Sequence, residues 1–316
     1  MSAAPRASAI LFAYHNVGVR ALKVLLDGGV EVRLVVTHRD NPNETIWFDS
    51  VERTARDYGL ACITPDDANT DEVVAQCRAA APDFLFSAYY RQMIKAPLLA
   101  VPRRGAFNLH GSLLPKYRGR VPVNWAVLHG EQETGATLHV MDIKPDHGDL
   151  VEQSAVPILG DDTAHEVFQK VTVAAEIALA RALPKLIAGT ATFTAQDFSQ
   201  GGYFGGRKPE DGRIPPGAAA QAIHNLVRAV APPYPGAFFD AQGARWIINR
   251  SLVAQSAGSL TPRTAFALGM RDNALWLYAA DGGVLRILDL TIDGAPCDAA
   301  AFAARHGDAL IGADAS

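Results

Sequence analysis

The segment FNLHGSLLPKYRG, residues 107–119, carries an amide and an imidazole two positions apart, Asn108 and His110. In an extended strand, residues i and i+2 point to the same face, so both side chains are expected to project together. An amide N–H stabilises negative charge that develops on an oxygen, and an imidazole takes up or releases a proton near neutral pH. The pair therefore suits a reaction in which an oxyanion forms beside a proton transfer.

The elements around this segment predict where the pair lies in the fold. An apolar run over residues 83–88 precedes it, and glycine, serine and proline then force a turn. Upstream, apolar runs over 9–14 and 31–37 flank a helical stretch, and this strand-helix-strand alternation is typical of a parallel α/β sheet. We therefore expect a mainly parallel sheet with Asn108 and His110 at the strand ends, where ligands bind in such folds.

Near residue 201 the composition changes, which predicts a domain boundary. The stretch 200–209 is rich in glycine, and proline and glycine follow it at 215–217. Short apolar runs separated by Gly and Asp turns come next, a pattern typical of a small β-barrel or sandwich. We therefore assign residues 1–203 to the α/β domain and 204–316 to a smaller, OB-like barrel domain. The alanine-rich tail after Ala300 is expected to fray.

The composition is that of an ordinary globular protein, with 316 residues, 49% of them hydrophobic and 20% charged. The formal net charge of −4 gives no sign of a nucleic-acid or anionic-membrane partner. The apolar N-terminal run ends at His15, so no signal peptide is expected, and the most apolar helical stretch, 171–187, contains charges and a proline. We expect no membrane insertion and a cytoplasmic enzyme.

Metal binding is not expected from the pattern of cysteines and histidines. The three cysteines, Cys62, Cys77 and Cys297, form no CxxC motif and fit structural thiols in a reducing compartment. His165 begins a sequence like HExxH, but position 169 is glutamine, so a zinc protease is excluded.

Two further features strengthen the functional interpretation of Asn108 and His110. They are a longer motif, N-x-H-x-S-x-L-P, at residues 108–115 and a later Asp-His-Gly at 146–148. Taken alone, His110 also suits a core histidine bonded to a carbonyl, and Asp146 a solvated turn carboxylate. In combination they resemble the folate-dependent formyltransferases, a superfamily that includes glycinamide ribonucleotide formyltransferase and a formyltetrahydrofolate hydrolase.

Further stretches of the sequence point to one group within this superfamily. The resemblance to that group runs from about residue 9 to about residue 239. They look like the formyltransferase domain of the bifunctional polymyxin-resistance proteins. The sequence has no counterpart of the decarboxylase half of those proteins, so a stand-alone enzyme is expected. The matching stretches are FAYH at 12–15, THRDNP at 37–42, YYR at 89–91, 107–125, and RAV with PGAF within 228–238.

The resemblance implies a Rossmann-like formyltransferase domain followed by a smaller barrel domain. It implies that 10-formyltetrahydrofolate is the co-substrate, that no metal is needed, and that the acceptor is a UDP-linked amino sugar. In the family this domain N-formylates UDP-4-amino-4-deoxy-L-arabinose, a step of lipid A modification in polymyxin resistance.

The resemblance also implies roles for individual residues. His110 would be the acid/base group, Asn108 would bind the developing oxyanion, and Asp146 would hold His110 and favour its imidazolium form. The residues implied at the folate site are Gln92, Met93, Ile94, Arg120, Asp142, Ile143, Lys144 and Pro145.

Candidates for binding the sugar nucleotide are weaker. Ser112 belongs to the motif, Arg207 follows two glycines and could supply a cation to a diphosphate, and Tyr234 could stack on a base. A solvated linker and a packed turn explain Arg207 and Tyr234 equally well. The aromatic pair at 89–90 is interpreted as surface packing of a loop.

Other functions stay open at this point. Methionyl-tRNA formyltransferases share the motif, but tRNA binding needs several basic contacts. Residues 207–316 contain ten Lys and Arg against ten Asp and Glu, and the loop over 40–52 has four acidic residues and no basic one. Another nucleotide-linked amino sugar is a nearer alternative, a non-catalytic module that keeps the fold is a third, and the oligomeric state is undetermined.

Overall fold

The computed structural model describes residues 6–42, 44–254 and 264–314. They form two compact units, which are described separately. The first consists of the described residues of Met1–Pro122, Glu133–Pro157 and Phe168–Gly205, and the second of those of Val123–Gln132, Ile158–Val167 and Gly206–Ser316. Two short segments that precede residue 204 thus belong to the second unit, whereas the sequence suggested a single boundary after residue 203.

The elements up to the end of the first unit alternate between strands and helices. The strands are β1 (Ser8–Ala13), β2 (Glu31–Val36), β3 (Cys62–Ile63), β4 (Phe84–Ala88), β5 (Ala106–His110), β6 (Arg118–Gly119), β7 (Glu133–Val140), β8 (Leu150–Pro157) and β9 (Tyr203–Phe204). The helices are α1 (His15–Asp27), α2 (Val51–Asp57), α3 (Asp71–Ala79), α4 (Ala96–Leu99), α5 (Pro122–Leu128) and α6 (Ala164–Ala188).

The main sheet of the first unit has the order β3-β2-β1-β4-β5-β7-β8. Pairs from β3 to β5 are parallel, and β5–β7 and β7–β8 are antiparallel. Every residue of β1 and β4 is buried, as expected for strands covered on both faces. The chain winds outward in opposite directions from β1 and β4, so the carboxyl ends of these strands form the switch point where ligands bind in such sheets. The predicted α/β class with a mainly parallel sheet is confirmed.

Local sequence signals explain where the helices of this sheet begin. The Ser50 side chain accepts the main-chain N–H of Arg53 at the start of α2. Thr70 does the same for Val73 at the start of α3. Such N-caps satisfy an N–H group that has no partner within the helix, which fixes the first turn.

The second unit is an antiparallel half-barrel with helices. Its helices and strands are α7 (Ala220–Val230), β10 (Ala237–Ala241), β11 (Ala244–Val253), β12 (Ala267–Arg271), β13 (Ala274–Tyr278), β14 (Val284–Ile292), β15 (Ala295–Pro296) and α8 (Ala299–His306). The strand order is β10-β11-β14-β13-β12, and β15 pairs with β14. The predicted smaller β domain is therefore confirmed.

Part of the alanine-rich tail is helical, whereas the sequence predicted fraying. It forms α8, whose N-cap Asp298 accepts the main-chain N–H of Ala301 at 2.8 Å. Phe302 is fully buried, and its ring meets that of Trp246 edge-on at 6.2 Å. One large aromatic side chain thus anchors a helix that is otherwise rich in small residues.

Candidate active site

Asn108 and His110 lie on β5, and two side chains of β7 are paired with them across the sheet. In the antiparallel register, Asn108 is opposite His139 and His110 is opposite Thr137. Opposite residues of an antiparallel pair share a face, with Cβ atoms about 4.5–5.5 Å apart. The amide and the imidazole predicted to project together therefore belong to a larger polar group on one face of the sheet.

The His110 ring is buried, and both of its nitrogens face acceptors. Nε2 lies 2.9 Å from the main-chain oxygen of Tyr117. Nδ1 lies 3.4 Å from Oδ1 of Asp146, and only 7% of the histidine side chain is exposed. A carbonyl and a carboxylate both accept hydrogen bonds, so each ring nitrogen is placed to donate when it carries a proton.

Asp146 sits on a tight turn where main-chain groups hold it. Its φ of 54° lies in the left-handed region, which Asp tolerates better than most residues. The N–H of Gly119 donates to Oδ2 at 2.8 Å. Burial by itself raises the pKa of the Asp146 carboxyl, but the facing His110 ring and the Gly119 amide lower it. The pKa therefore lies well below the usual range, and the group is a carboxylate at neutral pH.

Gly119 reaches Asp146 because β6 pairs closely with β9. Gly119 is the register partner of Phe204 and has a φ of +100°. A Cβ atom at this position would lie 2.2 Å from the main-chain oxygen of Phe204. Only glycine fits such a close approach with this backbone conformation.

His139 is a site residue that the sequence interpretation missed. It is buried, Nε2 lies 3.1 Å from Nδ2 of Asn108 and 3.5 Å from Oδ1 of Asp146, and Nδ1 contacts the oxygen of Val140 at 2.8 Å. The residues of β7 alternate between two faces, and Ala136, Leu138 and Val140 form the apolar one. The opposite face was the signal that could have found Thr137 and His139.

This cluster of polar side chains lies in the wall of a cleft of about 640 Å³ in the first unit. Asn108, His110, His139 and Asp146 all line it. So do most of the residues that the resemblance assigned to folate: Gln92, Met93, Ile94, Arg120, Asp142, Lys144 and Pro145. A volume of this size, with apolar walls and a few convergent polar groups, is typical of a small-molecule site.

Two of the predicted binding residues point away from the cleft. Ile143 is 73% exposed and is not part of the cleft lining, because an Asx-turn from Asp142 to the N–H of Lys144 directs it outward. Ser112 is fully buried, and its hydroxyl donates to the main-chain oxygen of Lys116 at 2.6 Å. This hydrogen bond gives Ser112 a role in the turn after β5 and argues against the substrate contact that the motif suggested.

Arg207 and Tyr234 both lie in the second unit. The guanidinium of Arg207 stacks over the ring of Trp125 at 4.8 Å and donates to the main-chain oxygen of Asp211. Burial lowers the pKa of Arg207. Tyr234 is partly buried, and its hydroxyl is hydrogen-bonded to Asn124.

The pair at 89–90, interpreted from sequence as surface packing, also lines the cleft. The ring of Tyr90 stacks on His38 at 4.1 Å. Burial, followed by the nearby charge of Arg91, lowers the pKa of His38 to about 4. Its Nε2 is then free to accept the main-chain N–H of Arg91 at 3.0 Å. Arg91 in turn forms two hydrogen bonds of 2.8 Å with Glu44, which ties the acidic loop to this wall.

Two features are absent from the part of the chain that the structure describes. Its helices include none that is long and apolar enough to cross a membrane. Within the same residues, no group of three or more His, Cys, Asp or Glu side chains is arranged to hold a metal ion.

The fold is similar to that of several solved structures. WlaRD, a sugar 3N-formyl transferase solved in the presence of dTDP and 5-N-formyl-THF, has 20% identity and a TM-score of 0.68, with 90% of this chain and 98% of that chain covered. An N-formyltransferase from Helicobacter canadensis, in complex with folinic acid and dTDP-3-aminofucose, has 20% identity and a TM-score of 0.65, covering 90% and 99%. HypX from Aquifex aeolicus, in complex with tetrahydrofolic acid, has 16% identity and a TM-score of 0.60, covering 90% and 44%.

Family models match both halves of the sequence. The model described as formyl transferase matches residues 15–183. The model described as formyl transferase, C-terminal domain, matches residues 207–307. The first match alone spans more than half of the chain and contains Asn108, His110 and Asp146. The chain therefore belongs to the formyl transferase family.

Proposed function

We propose that this protein transfers the formyl group of 10-formyltetrahydrofolate to the amino group of a nucleotide-linked sugar, most specifically UDP-4-amino-4-deoxy-L-arabinose. The observation that supports the reaction is the convergence of Asn108, His110 and Asp146 in one cleft, with a 3.4 Å contact between the imidazole and the carboxylate. A hydrogen-bond donor, a proton carrier and a buried carboxylate are the groups that acyl transfer to an amine requires.

The cleft has a donor set that suits a folate. Met93 and Ile94 supply apolar wall for a flat ring system, and Arg120 and Lys144 supply cations for its carboxylates. The amide of Gln92 is engaged with the neighbouring loop, since it donates to the oxygen of Asp66 and accepts the N–H of Ala68. Bound in this cleft, 10-formyltetrahydrofolate supplies the formyl group that is transferred.

Asn108, His110 and Asp146 have different roles in the proposed reaction. Asn108 donates an N–H to the formyl oxygen, where negative charge develops as the amine attacks. His110, in contact with Asp146, takes the proton that the amine loses as the new C–N bond forms, and it delivers this proton to N10 of the folate as the formyl C–N10 bond breaks and tetrahydrofolate leaves. Removing one such donor typically costs about 100- to 1,000-fold in rate. Asp146 stays ionised throughout, because the facing His110 ring and the Gly119 N–H favour its charged form.

The proposed acceptor is supported by charge and by sequence. The second unit has equal numbers of acidic and basic residues over 207–316, and the acidic loop over 40–52 would repel a phosphate backbone. The motif stretches resemble enzymes that act on UDP-4-amino-4-deoxy-L-arabinose in lipid A modification. We propose that Arg207 and Tyr234 contact the nucleotide, Arg207 as a cation for the diphosphate and Tyr234 as a stacking surface.

The test offers the protein 10-formyltetrahydrofolate with one acceptor at a time: UDP-4-amino-4-deoxy-L-arabinose, a dTDP-linked amino sugar, or methionyl-tRNA. The expected result is turnover on the UDP sugar that His110→Ala abolishes. His129→Ala serves as the matched control, because His129 is exposed and does not line the cleft. Turnover on the dTDP sugar instead would correct the nucleotide, and turnover on the tRNA would overturn the charge argument.

A further inference from the structure

His139 is buried at the base of the cleft and contacts two of the proposed catalytic residues, yet the reaction outlined above does not use it. Only 2% of its side chain is exposed. The β5–β7 register makes it the cross-strand partner of Asn108, so its position depends on main-chain pairing as well as on packing. Its ring therefore has a defined place beside the Asn108 amide.

The hydrogen bonds of the His139 ring indicate which nitrogen carries the proton. Nδ1 lies 2.8 Å from the main-chain oxygen of Val140. A carbonyl oxygen only accepts, so Nδ1 must be the donor in this contact. A neutral imidazole has a single N–H, and Nε2 is then bare and able to accept.

The amide nitrogen of Asn108 lies 3.1 Å from that bare Nε2. Oδ1 of Asp146 lies 3.5 Å from the same nitrogen, at the limit of hydrogen-bond distance. Asn108 is thus the closer partner, and its NH₂ group donates to His139.

An asparagine side chain needs such a partner if it is to stabilise an oxyanion. The rotation of its terminal amide is broad and roughly two-fold, and the oxygen and nitrogen ends are nearly equal in size. Turned one way, Asn108 presents an N–H to the formyl oxygen. Turned the other way, it presents a carbonyl oxygen, which repels the developing charge.

We propose that His139 is a positioning residue: by accepting one N–H of Asn108 through Nε2, it fixes the amide so that the remaining N–H points to the formyl oxygen. His139 touches neither substrate in this account and acts through Asn108. The inference rests on the proposed function, since it assigns the origin of the oxyanion-binding geometry in that reaction.

The kinetic test compares two substitutions of similar size. His139→Gln offers a side-chain oxygen that can accept from Asn108, whereas His139→Leu offers no acceptor. We expect His139→Leu to lower kcat by about 10- to 100-fold with KM for the folate nearly unchanged, because a misplaced group costs this much in well-oriented sites. His139→Gln should recover most of the loss. Equal losses in both variants, or a loss confined to KM, would overturn the proposal.

A double substitution tests whether the effect passes through Asn108. In the Asn108→Ala background there is no amide left to orient, so adding His139→Leu should lower kcat by no more than about twofold. If the two losses multiply, His139 acts by a route that does not involve Asn108, and the proposal is wrong. Matched melting temperatures of the two His139 variants separate this effect from a change in packing.

A spectroscopic measurement decides the hydrogen bond without any turnover. Long-range ¹H–¹⁵N spectra of the ligand-free protein labelled at its histidine rings should show Nδ1–H and a bare Nε2 for His139. The Asn108 side-chain amide resonances should shift in His139→Leu and stay closer to wild type in His139→Gln. A proton on Nε2 would contradict the inference. If wild type formylates none of the acceptors, the proposed function fails, and the spectra still decide the hydrogen bond.

Discussion

Asp146→Asn tests whether the charge on this side chain is needed or only its shape. Asn keeps an oxygen that can accept the Gly119 N–H, which Asp146 accepts at 2.8 Å. The main-chain oxygen of residue 146 still accepts from Gln196 at 3.0 Å, so the turn should persist. What is lost is the negative charge that faces His110.

The magnitude follows from the distance between the two charged groups. At 3.4 Å and an effective dielectric constant of about 20, a unit charge pair interacts by about 5 kcal/mol. This is an upper value, because it uses the nearest atoms and both charges are spread over several atoms. Since about 1.4 kcal/mol corresponds to a tenfold change in rate, we expect kcat to fall by about 100- to 1,000-fold.

The assay measures initial rates of formyl transfer together with calorimetric binding of folinic acid. Binding should stay within about threefold of wild type, because His110 and Asp146 act on the developing charge more than on the bound folate. Asp27→Asn, at the exposed end of α1, is the charge-matched control. Turnover of the variant within about tenfold of wild type would refute the reasoning and remove the Asp146 charge from the mechanism.

Three further predictions concern residues outside this pair. Acidification from pH 6.5 towards 4 should lower the free energy of unfolding, because the unfolded chain binds a proton at His38 before the folded chain does. Burial and the neighbouring Arg91 guanidinium lower the pKa of His38 in the folded chain from 6.5 to about 4. In His38→Gln, denaturant titrations at pH 6.5 and pH 4 should show a smaller difference in the free energy of unfolding than in wild type. Gly119→Ala should lower both activity and melting temperature, since its Cβ would lie 2.2 Å from the Phe204 oxygen, while Gly205→Ala, with no atom within 4 Å of its Cβ, should change neither. Phe302→Ala should cost about 3–5 kcal/mol in the free energy of unfolding of the second unit, as truncation of a fully buried aromatic does; an unchanged denaturation midpoint would mean that α8 is not part of the core.

The sequence predicted those parts of the site that depend on local periodicity. Asn108 and His110 were placed together from their spacing on a strand, and both line the cleft. Asp146 was predicted from the family resemblance, because no local pattern links a turn carboxylate to a histidine 36 residues earlier. The tight turn at Asp146 and the positive φ of Gly119 bring the Asp146 carboxylate to the His110 ring.

His139 was missed because its role depends on register, which is a non-local property. Its neighbour Asn108 is 31 residues away in sequence and becomes its partner only when β5 and β7 pair antiparallel. Periodicity correctly gave β7 one apolar face, but it does not show what the polar face meets. The hydroxyl of Ser112 completes a turn, and the substrate contact that the motif suggested for it stays a prediction.

The second unit shows how single residues override composition. The tail over 299–306 is rich in alanine, yet Phe302 and the Asp298 cap make it a packed helix. Strand β12 was not predicted because glycine and methionine interrupt its pattern. A Cβ atom at Gly269 would lie 2.5 Å from a terminal methyl group of Leu310, so a larger residue there would require this side chain to move.

We propose that formyl transfer from folate to an amine in this cleft depends on His110. The most direct measurement follows a ¹³C-labelled formyl group of 10-formyltetrahydrofolate by NMR, with UDP-4-amino-4-deoxy-L-arabinose present and with wild type compared to His110→Ala. We expect the label to appear as a sugar formamide with wild type and to stay on the folate with His110→Ala. Label released as formate, or transfer that proceeds without His110, would contradict it.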